Sequence, residues 1–161
     1  MMISMLAVKD VMVDKVVTIQ SDEAAQLAAR MMGEHDIGCL VVLEDGRVLG
    51  IVTERDLLNR VLAVAADPGK ILVKQVMSSP VVTVGPDMDL EEAVEVMFKH
   101  RIKKLPVVEE RGGKGVLVGL VTLTDVARLH PALIKTLRKF FEMIGEAPPR
   151  SMEKVMNYYV V

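Results

Sequence analysis

The 161-residue sequence contains no tryptophan, 3% aromatic residues and a single cysteine. Cys39 has no partner for an internal disulfide, and no nearby histidine cluster supports a metal site, so we interpret it as a core residue. No apolar run reaches the roughly 18 residues of a membrane-spanning helix. The first residues also lack the charged and apolar regions of a secretory signal. These absences predict a cytoplasmic protein with no membrane partner.

Excess positive charge is also missing, because the formal net charge is −2. Nucleic-acid binding needs clustered cations to neutralise phosphates, and binding of single strands needs aromatic side chains on which bases stack. We therefore expect no nucleic-acid partner. One local group of cations does occur, at Lys99, Arg101, Lys103 and Lys104. Its size suits one phosphate-bearing small molecule better than a polymer.

Catalytic motifs are absent as well. No Ser/His/Asp or Cys/His arrangement stands at repeated motif positions, and neither a Walker-type glycine loop nor a G-x-G-x-x-G pattern occurs. We therefore expect a binding protein rather than an enzyme, with no required cofactor and no metal site.

What the sequence does contain is an internal repeat. Val16-Val17-Thr18-Ile19 recurs as Val81-Val82-Thr83-Val84 at an offset of 65 residues, and 50–56 (GIVTERD) recurs as 119–125 (GLVTLTD) at an offset of 69. The four extra residues fall in the polar, glycine-rich segment 109–115, where a hairpin loop lengthens at little cost. Because units of about 60 residues bury little core alone, we expect two similar halves packed with pseudo-twofold symmetry.

Each repeat has the pattern of a β-α-β-β-α unit, which predicts a mixed α/β (α+β) fold. A β-branched segment precedes a capping signal, Ser21-Asp22-Glu23 or Asp87-Met88-Asp89, and an amphipathic helix follows. Two strands and a closing helix at a Thr-x-x-Asp stretch complete each unit. The expected strands are Val16–Ile19, Cys39–Leu43 and Val48–Val52, then Val81–Val84, Leu105–Val108 and Val116–Val121.

These patterns place repeat 1 at 8–66, repeat 2 at 73–129 and a C-terminal helical extension at 130–161. A helix should begin at His130-Pro131 and end at Gly145, and Met152–Val161 should form a last short element. The helix carries a stripe too apolar to leave in water. Its own domain's flank or another subunit could cover the stripe, and we favour a homodimer. The stripe comprises Leu133, Leu137, Phe140, Phe141 and Ile144.

The ordered motifs V-M, V-V-T-V, I-x-x-L-P-V-V and G-x-V-T-x-x-D, which in whole or in part occur in each repeat, resemble the CBS domain. The tandem over about residues 8 to 129 resembles a CBS pair, or Bateman module. The resemblance implies units that pair through their sheets and two clefts between them. Such clefts commonly bind adenosine-containing ligands such as AMP, ADP, ATP or S-adenosylmethionine.

The Thr-x-x-Asp stretch has suitable chemistry for such a ligand. A helix N-terminus presents unpaired N–H groups that suit a phosphate, and the Thr53 hydroxyl can donate to a phosphate oxygen. The Asp56 carboxylate can accept from two vicinal hydroxyls, and the resemblance implies that it contacts the ribose. Alternatively, both residues are ordinary helix caps. Arg55 is either a phosphate ligand or a solvated helix residue.

The resemblance also implies that each cleft combines the Thr-x-x-Asp end of one repeat with early-strand residues of the other. Cleft one would use Ile51, Thr53, Arg55, Asp56, Val81, Val82, Thr83, Ile102, Lys103, Lys104 and Pro106. Cleft two would use Val16, Val17, Thr18, Ile37, Gly38, Val41, Leu120, Thr122, Thr124 and Asp125.

The two clefts differ in charge. Lys103 and Lys104 favour cleft one for phosphate, whereas repeat 1 has the neutral Gly38 and Cys39 at the equivalent positions. Because the two lysines alternate along an extended chain, we expect Lys103 to point inward. The alternative is that both lysines are solvated.

We therefore expect a stand-alone regulatory or sensor module that binds an adenine nucleotide, AMP first and ADP or ATP second, without catalysis. It would act as a homodimer or on an unknown regulated protein. One alternative ligand is S-adenosylmethionine or methylthioadenosine, which needs an apolar or carboxylate-compatible end to the cleft. Another alternative is a purely structural dimerisation or interaction module.

Overall fold

The computed structural model of the chain describes residues 6–147 and 152–153, apart from the side chains of 137 and 140. These residues form two compact units that do not follow the repeat boundaries. Unit 1 contains residues 6–14, 83–108, 118–147 and 152–153. Unit 2 contains residues 15–82 and 109–117.

A three-stranded sheet with the order β1-β2-β3 forms the centre of unit 2. Strand β1 runs parallel to β2, with Thr18 paired to Val41, and β2 runs antiparallel to β3, with Cys39 paired to Thr53. The β2–β3 turn contains Gly46 at a φ of 76°, a conformation that glycine adopts without strain. The elements are β1 (Thr18–Gln20), α1 (Ala25–His35), β2 (Cys39–Glu44), β3 (Arg47–Thr53), α2 (Glu54–Leu57) with a π-helical turn (Leu58–Leu62), and α3 (Val73–Val76).

The rest of the second repeat and the C-terminal extension supply a two-stranded sheet and three further helices. Its first β segment makes a single parallel bridge, from Val84 to Val107, which is the counterpart of the Ile19–Val42 pair in β1 and β2. The elements are α4 (Leu90–His100), β4 (Lys104–Arg111), β5 (Lys114–Thr122), α5 (Leu123–Leu129) and α6 (Pro131–Ile144). The mixed α/β class and the order of elements are therefore confirmed, with the first strand of repeat 2 reduced to one bridge.

Each unit contains a segment that the sequence assigns to the other repeat. In unit 1, Val13 of repeat 1 forms an antiparallel bridge with Leu120 of repeat 2. In unit 2, Ser78 of repeat 2 forms the equivalent bridge with Ile51 of repeat 1. The edge strand of each hairpin has backbone groups that need hydrogen-bond partners. The residues just before the first β segment of each repeat supply these partners to the hairpin of the other repeat.

The predicted caps of the two equivalent helices differ in outcome. Helix α4 begins as expected, because Asp89 Oδ1 accepts a 2.8 Å hydrogen bond from the Glu91 amide. Helix α1 begins later than expected, with Ala24 at the N-cap and no side-chain cap. The Ser21 hydroxyl instead donates a 2.9 Å hydrogen bond to the Glu44 carboxylate. The prediction that the Ser21 segment caps the helix is therefore wrong, because a tertiary contact uses this hydroxyl.

Helix α6 corrects the expectation about the C-terminal stripe. Leu133 and Phe141 are buried within the chain, and the Phe141 ring centroid lies 4.8 Å from that of Phe98 in α4. The preference for another subunit as the cover is thus wrong for these two side chains. A single residue, His130, separates α6 from α5, and α6 therefore packs against α5 and α4. Ile144 is exposed.

The structure does not test the rest of the predicted stripe or most of the last expected element. The side chains of Leu137 and Phe140 lie outside the described residues, as does the element at Met152–Val161 beyond Glu153.

Candidate functional site

The Thr-x-x-Asp end of repeat 1 lies where β3 passes into α2. The Thr53 amide donates to Asp56 Oδ2 at 2.9 Å, and the Asp56 amide donates to Thr53 Oγ1 at 3.2 Å. This reciprocal arrangement is a capping box, which satisfies two N–H groups at the helix start. The capping interpretation of Thr53 and Asp56 is therefore correct in itself, and it fixes the carboxylate at the end of the strand.

The second oxygen of the Asp56 carboxylate has partners that the sequence did not predict. Asp56 Oδ1 accepts a 3.1 Å hydrogen bond from the Ser78 hydroxyl and lies 3.7 Å from Arg60 Nη1. The same Nη1 donates to the carbonyl oxygens of Val76 at 2.8 Å and Met77 at 2.7 Å. Only 7% of Asp56 is exposed. Both carboxylate oxygens of Asp56 are therefore engaged.

Of these two partners of Asp56, only Arg60 could have been predicted from the sequence. Arg60 stands four residues after Asp56, the spacing at which opposite charges meet on a helix. Ser78 carried no signal, because only the tertiary pairing of its segment with β3 brings it to the carboxylate.

Among the described residues, fewer hydrogen bonds hold the aspartate at the equivalent end of repeat 2. The Thr122 hydroxyl donates to Asp125 Oδ2 at 2.8 Å, and the Asp125 amide donates to Thr122 Oγ1 at 3.2 Å. The positions that correspond to Ser78 and Arg60 are occupied by Val13 and Leu129, whose side chains form no hydrogen bonds. Asp125 is half-buried, whereas Asp56 is buried.

The residues predicted for cleft one divide between the units. Ile51, Thr53, Arg55, Asp56, Val81 and Val82 belong to unit 2. Thr83, Ile102, Lys103, Lys104 and Pro106 belong to unit 1. In unit 2, the Ile51–Ser78 bridge aligns the segment that leads to Val81 with β3. Arg55 is exposed.

Lys103 and Lys104 are both half-buried, so exposure does not separate them. The Lys103 carbonyl accepts a 2.8 Å hydrogen bond from the Leu123 amide, so its main chain adjoins the Thr-x-x-Asp end of its own repeat. Pro106 is buried in β4.

The residues predicted for cleft two are divided in the same way. Val16, Val17, Thr18, Ile37, Gly38 and Val41 belong to unit 2. Leu120, Thr122, Thr124 and Asp125 belong to unit 1. Within unit 2, the Val41 amide donates to the Val17 carbonyl at 3.3 Å, and the Glu54 amide donates to the Gly38 carbonyl at 3.0 Å. Within unit 2, Val17 is therefore next to Val41, and Gly38 is next to the start of α2.

Unit 2 also has an apolar groove of about 680 Å³ between α1 and the α2 region. Its α1 wall contains the small residues Ala25, Ala29 and Gly33 together with Met32, and Leu58 and Leu62 line the other wall. The residue in repeat 2 that corresponds to Gly33 is Phe98, against which α6 packs. In unit 1, the corresponding surface of α4 is therefore covered by α6, a helix of the same unit.

Within residues 6–147 and 152–153, no group of three His, Cys, Asp or Glu side chains is arranged to hold a metal ion. Nor does any helix in this part of the chain have the length and apolar character needed to cross a membrane.

Known proteins with similar sequences include CBS-domain proteins. The CBS domain-containing protein YhcV of Bacillus subtilis is 38% identical over 123 residues, which are 76% of this chain and 84% of YhcV. An uncharacterized protein of Methanopyrus kandleri is 36% identical over 132 residues, which are 81% of this chain and 66% of that protein. The chain thus spans slightly less than two thirds of the second relative.

Solved structures show the same fold. The CBS domain pair of protein MJ0100, in complex with 5′-methylthioadenosine and S-adenosyl-L-methionine, has a TM-score of 0.68 and 27% identity, covering 80% of this chain and 98% of that one. A hexameric CBS-CP12 protein from bloom-forming cyanobacteria has a TM-score of 0.65 and 26% identity, covering 86% of both chains. The sequence profile of the CBS domain matches residues 8–63 and 73–131. The chain therefore belongs to the CBS domain family, as a tandem pair of CBS repeats.

Proposed function

We propose that this CBS pair is a regulatory or sensor module that binds an adenosine-containing ligand, with AMP as the preferred ligand. The observation that carries the proposal is the similarity to the MJ0100 CBS pair, which was solved with two adenosyl compounds. In support, this chain forms a Thr-x-x-Asp end twice, each with the threonine at an N-cap and the aspartate held beside it.

The proposed ligand contacts follow from the chemistry of each part. The Asp56 or Asp125 carboxylate would accept hydrogen bonds from the vicinal hydroxyls of the ribose. The apolar early-strand residues, Val81 and Val82 or their counterparts Val16 and Val17, suit the flat adenine ring. These residues remain predictions from the sequence and the family.

The preference for AMP over S-adenosylmethionine rests on charge. Lys103 and Lys104 have the sign that a phosphate requires, and Ile102 and Pro106 flank them in the repeated motif. ADP and ATP satisfy the same argument, whereas S-adenosylmethionine and methylthioadenosine carry no phosphate. These two ligands form the alternative.

A thermal-shift series with AMP, adenosine, ADP, ATP, S-adenosylmethionine and methylthioadenosine tests the ligand class. A ligand present at about 100 times its dissociation constant should stabilise the folded chain by roughly 2.7 kcal/mol. Because the chain has no Trp and only two Tyr, co-purified nucleotide would also be visible as absorbance near 260 nm, a wavelength at which proteins of this composition absorb weakly. No stabilisation by any of the six compounds contradicts the proposal, and stabilisation only by the two that lack phosphate favours the alternative.

We also propose that the chain forms a homodimer through the groove of unit 2. Leu58 and Leu62 are exposed on the α2 side of the groove, opposite the small residues of α1. A surface that carries both protruding leucines and a recess can pair with itself across a twofold axis. A separate regulated protein would then recognise the dimer with its adenosine-containing ligand bound. The alternative function is that of a structural or interaction module that binds no ligand.

A further inference from the structure

The two Thr-x-x-Asp ends share their threonine but differ in what else holds the aspartate. Asp56 Oδ1 receives the Ser78 hydroxyl at 3.1 Å and faces Arg60 Nη1 at 3.7 Å. Asp125 stands where the corresponding neighbours are Val13 and Leu129. The difference extends to exposure, since Asp56 is buried and Asp125 is half-buried.

Ser78 and Arg60 also hold main chain together. Ser78 follows α3 within repeat 2, and its backbone exchanges hydrogen bonds of 3.2 and 2.8 Å with Ile51 of β3. Arg60 donates to the carbonyl oxygens of Val76 and Met77, which precede Ser78. The Asp56 carboxylate and its two partners therefore connect β3, α2 and residues 76–78 of repeat 2.

We infer that Ser78 and Arg60 are positioning residues that latch Asp56, so that the two CBS sites bind ribose unequally and Asp125 holds the ribose more tightly. The latch itself follows from the geometry alone. Its consequence for ribose rests on the proposed function.

The inequality follows from the acceptor capacity of a carboxylate. Each oxygen has about two lone-pair positions, and a vicinal diol needs acceptors that face the ligand. Asp56 Oδ2 already accepts from the Thr53 amide, and Oδ1 already accepts from Ser78. Each oxygen of Asp56 therefore keeps about one lone-pair position, and the one on Oδ1 lies beside Ser78 and Arg60. Among the described residues, a hydrogen bond reaches only Oδ2 of Asp125, so Asp125 offers a ribose one more acceptor position than Asp56 does. The loss of one such hydrogen bond corresponds to roughly a fivefold to tenfold weaker affinity.

Thermal or urea unfolding tests the latch without any ligand. A double-mutant cycle with Asp56→Ala and Ser78→Ala should show coupling of about fivefold to tenfold in the unfolding equilibrium constant, the factor for one such hydrogen bond. The matched cycle uses Asp125→Ala and Val13→Ala at the equivalent positions of the other site and should show no coupling. Equal coupling in the two cycles overturns the latch.

Exchange of the neighbouring residues between the sites tests the consequence for ribose. With Asp125→Asn to weaken the second site, Ser78→Val and Arg60→Leu give the first site the neighbours of the second. Adenosine affinity at the first site should then rise about fivefold to tenfold. With Asp56→Asn as background, Val13→Ser and Leu129→Arg should lower adenosine affinity at the second site by a similar factor.

Adenosine is the probe because it has no phosphate, so the charge of Arg60 cannot attract it directly. Calorimetric titration gives both affinities, and Ser78→Val alone serves as a milder variant if the double variant unfolds. Affinities that stay unchanged, or move in the opposite directions, overturn the inequality of the sites. Failure of wild-type protein to bind adenosine or AMP overturns the proposed function and the inequality together, while the unfolding cycles still decide the latch.

Discussion

A methyl group added to Gly50 would lie 2.7 Å from the carbonyl oxygen of Ser78. That oxygen also accepts a hydrogen bond from the Ile51 amide, although Ser78 belongs to repeat 2 and Ile51 to repeat 1. The contact is therefore between two backbones, and neither can yield as a flexible side chain would. Gly119, the counterpart of Gly50, has the same relationship to Val13, whose carbonyl oxygen would lie 3.0 Å from an added methyl.

Gly50→Ala should accordingly destabilise the protein by about 1–3 kcal/mol, the range for overpacking a filled site. Urea unfolding measures the change. Gly33→Ala is the matched control, because Gly33 lies within α1 and an added methyl there has no atom within 4 Å. The control should stabilise the protein by about 0.5–1 kcal/mol through helix propensity. Equal effects of the two substitutions would contradict the close approach of the Gly50 and Ser78 backbones.

Phe141→Ala should destabilise the protein by about 3–5 kcal/mol, the range for a buried Phe, because its ring packs on Phe98. Met143 is 84% exposed on the same helix, so Met143→Ala should change stability by less than about 0.5 kcal/mol. Thermal unfolding followed by circular dichroism compares the two variants. A small effect of Phe141→Ala together with dissociation of an oligomer would restore the view that another subunit covers α6.

Lys103→Ala should weaken AMP more than adenosine, because only AMP presents a phosphate. If the contact is accessible to solvent, the difference should shrink at high salt, where screening is stronger. Lys70→Ala is the control, since the Lys70 side chain is 86% exposed. Calorimetric titration at two salt concentrations measures both ligands. Equal losses for AMP and adenosine would mean that Lys103 acts through the structure and not on the phosphate.

Leu62→Glu should dissociate the proposed homodimer, because it places a charge at an exposed apolar position beside the groove of unit 2. Light scattering at several protein concentrations measures the mass. Met143→Glu introduces the same charge at another exposed position and should leave the mass unchanged. A wild-type monomer at all concentrations would remove the dimer from the proposal, and an equal effect of Met143→Glu would move the interface to α6.

The repeat, read from the sequence, predicted most of the fold. The hairpin strands Cys39–Glu44 and Arg47–Thr53 extend the predicted pair by a single residue at three of their four ends, because alternation and the Asp45-Gly46 turn are local signals. The short helix α3 was missed, since four residues carry too little periodicity to detect. Local signals also named Thr53 and Asp56 as a pair three residues apart, which the capping box realises.

By itself, the sequence determined the family, the duplication and the residues that end each hairpin, because these depend on short-range order that repeats along the chain. Only the tertiary structure decided which residues surround the two aspartates. Ser78 reaches Asp56 across 22 positions of sequence because its segment pairs with β3 of the other repeat. The corresponding bridge in unit 1 brings a valine instead of a serine. Two sites of the same motif thus acquire different hydrogen bonds, because a buried carboxylate takes its partners from whichever segment packs against it.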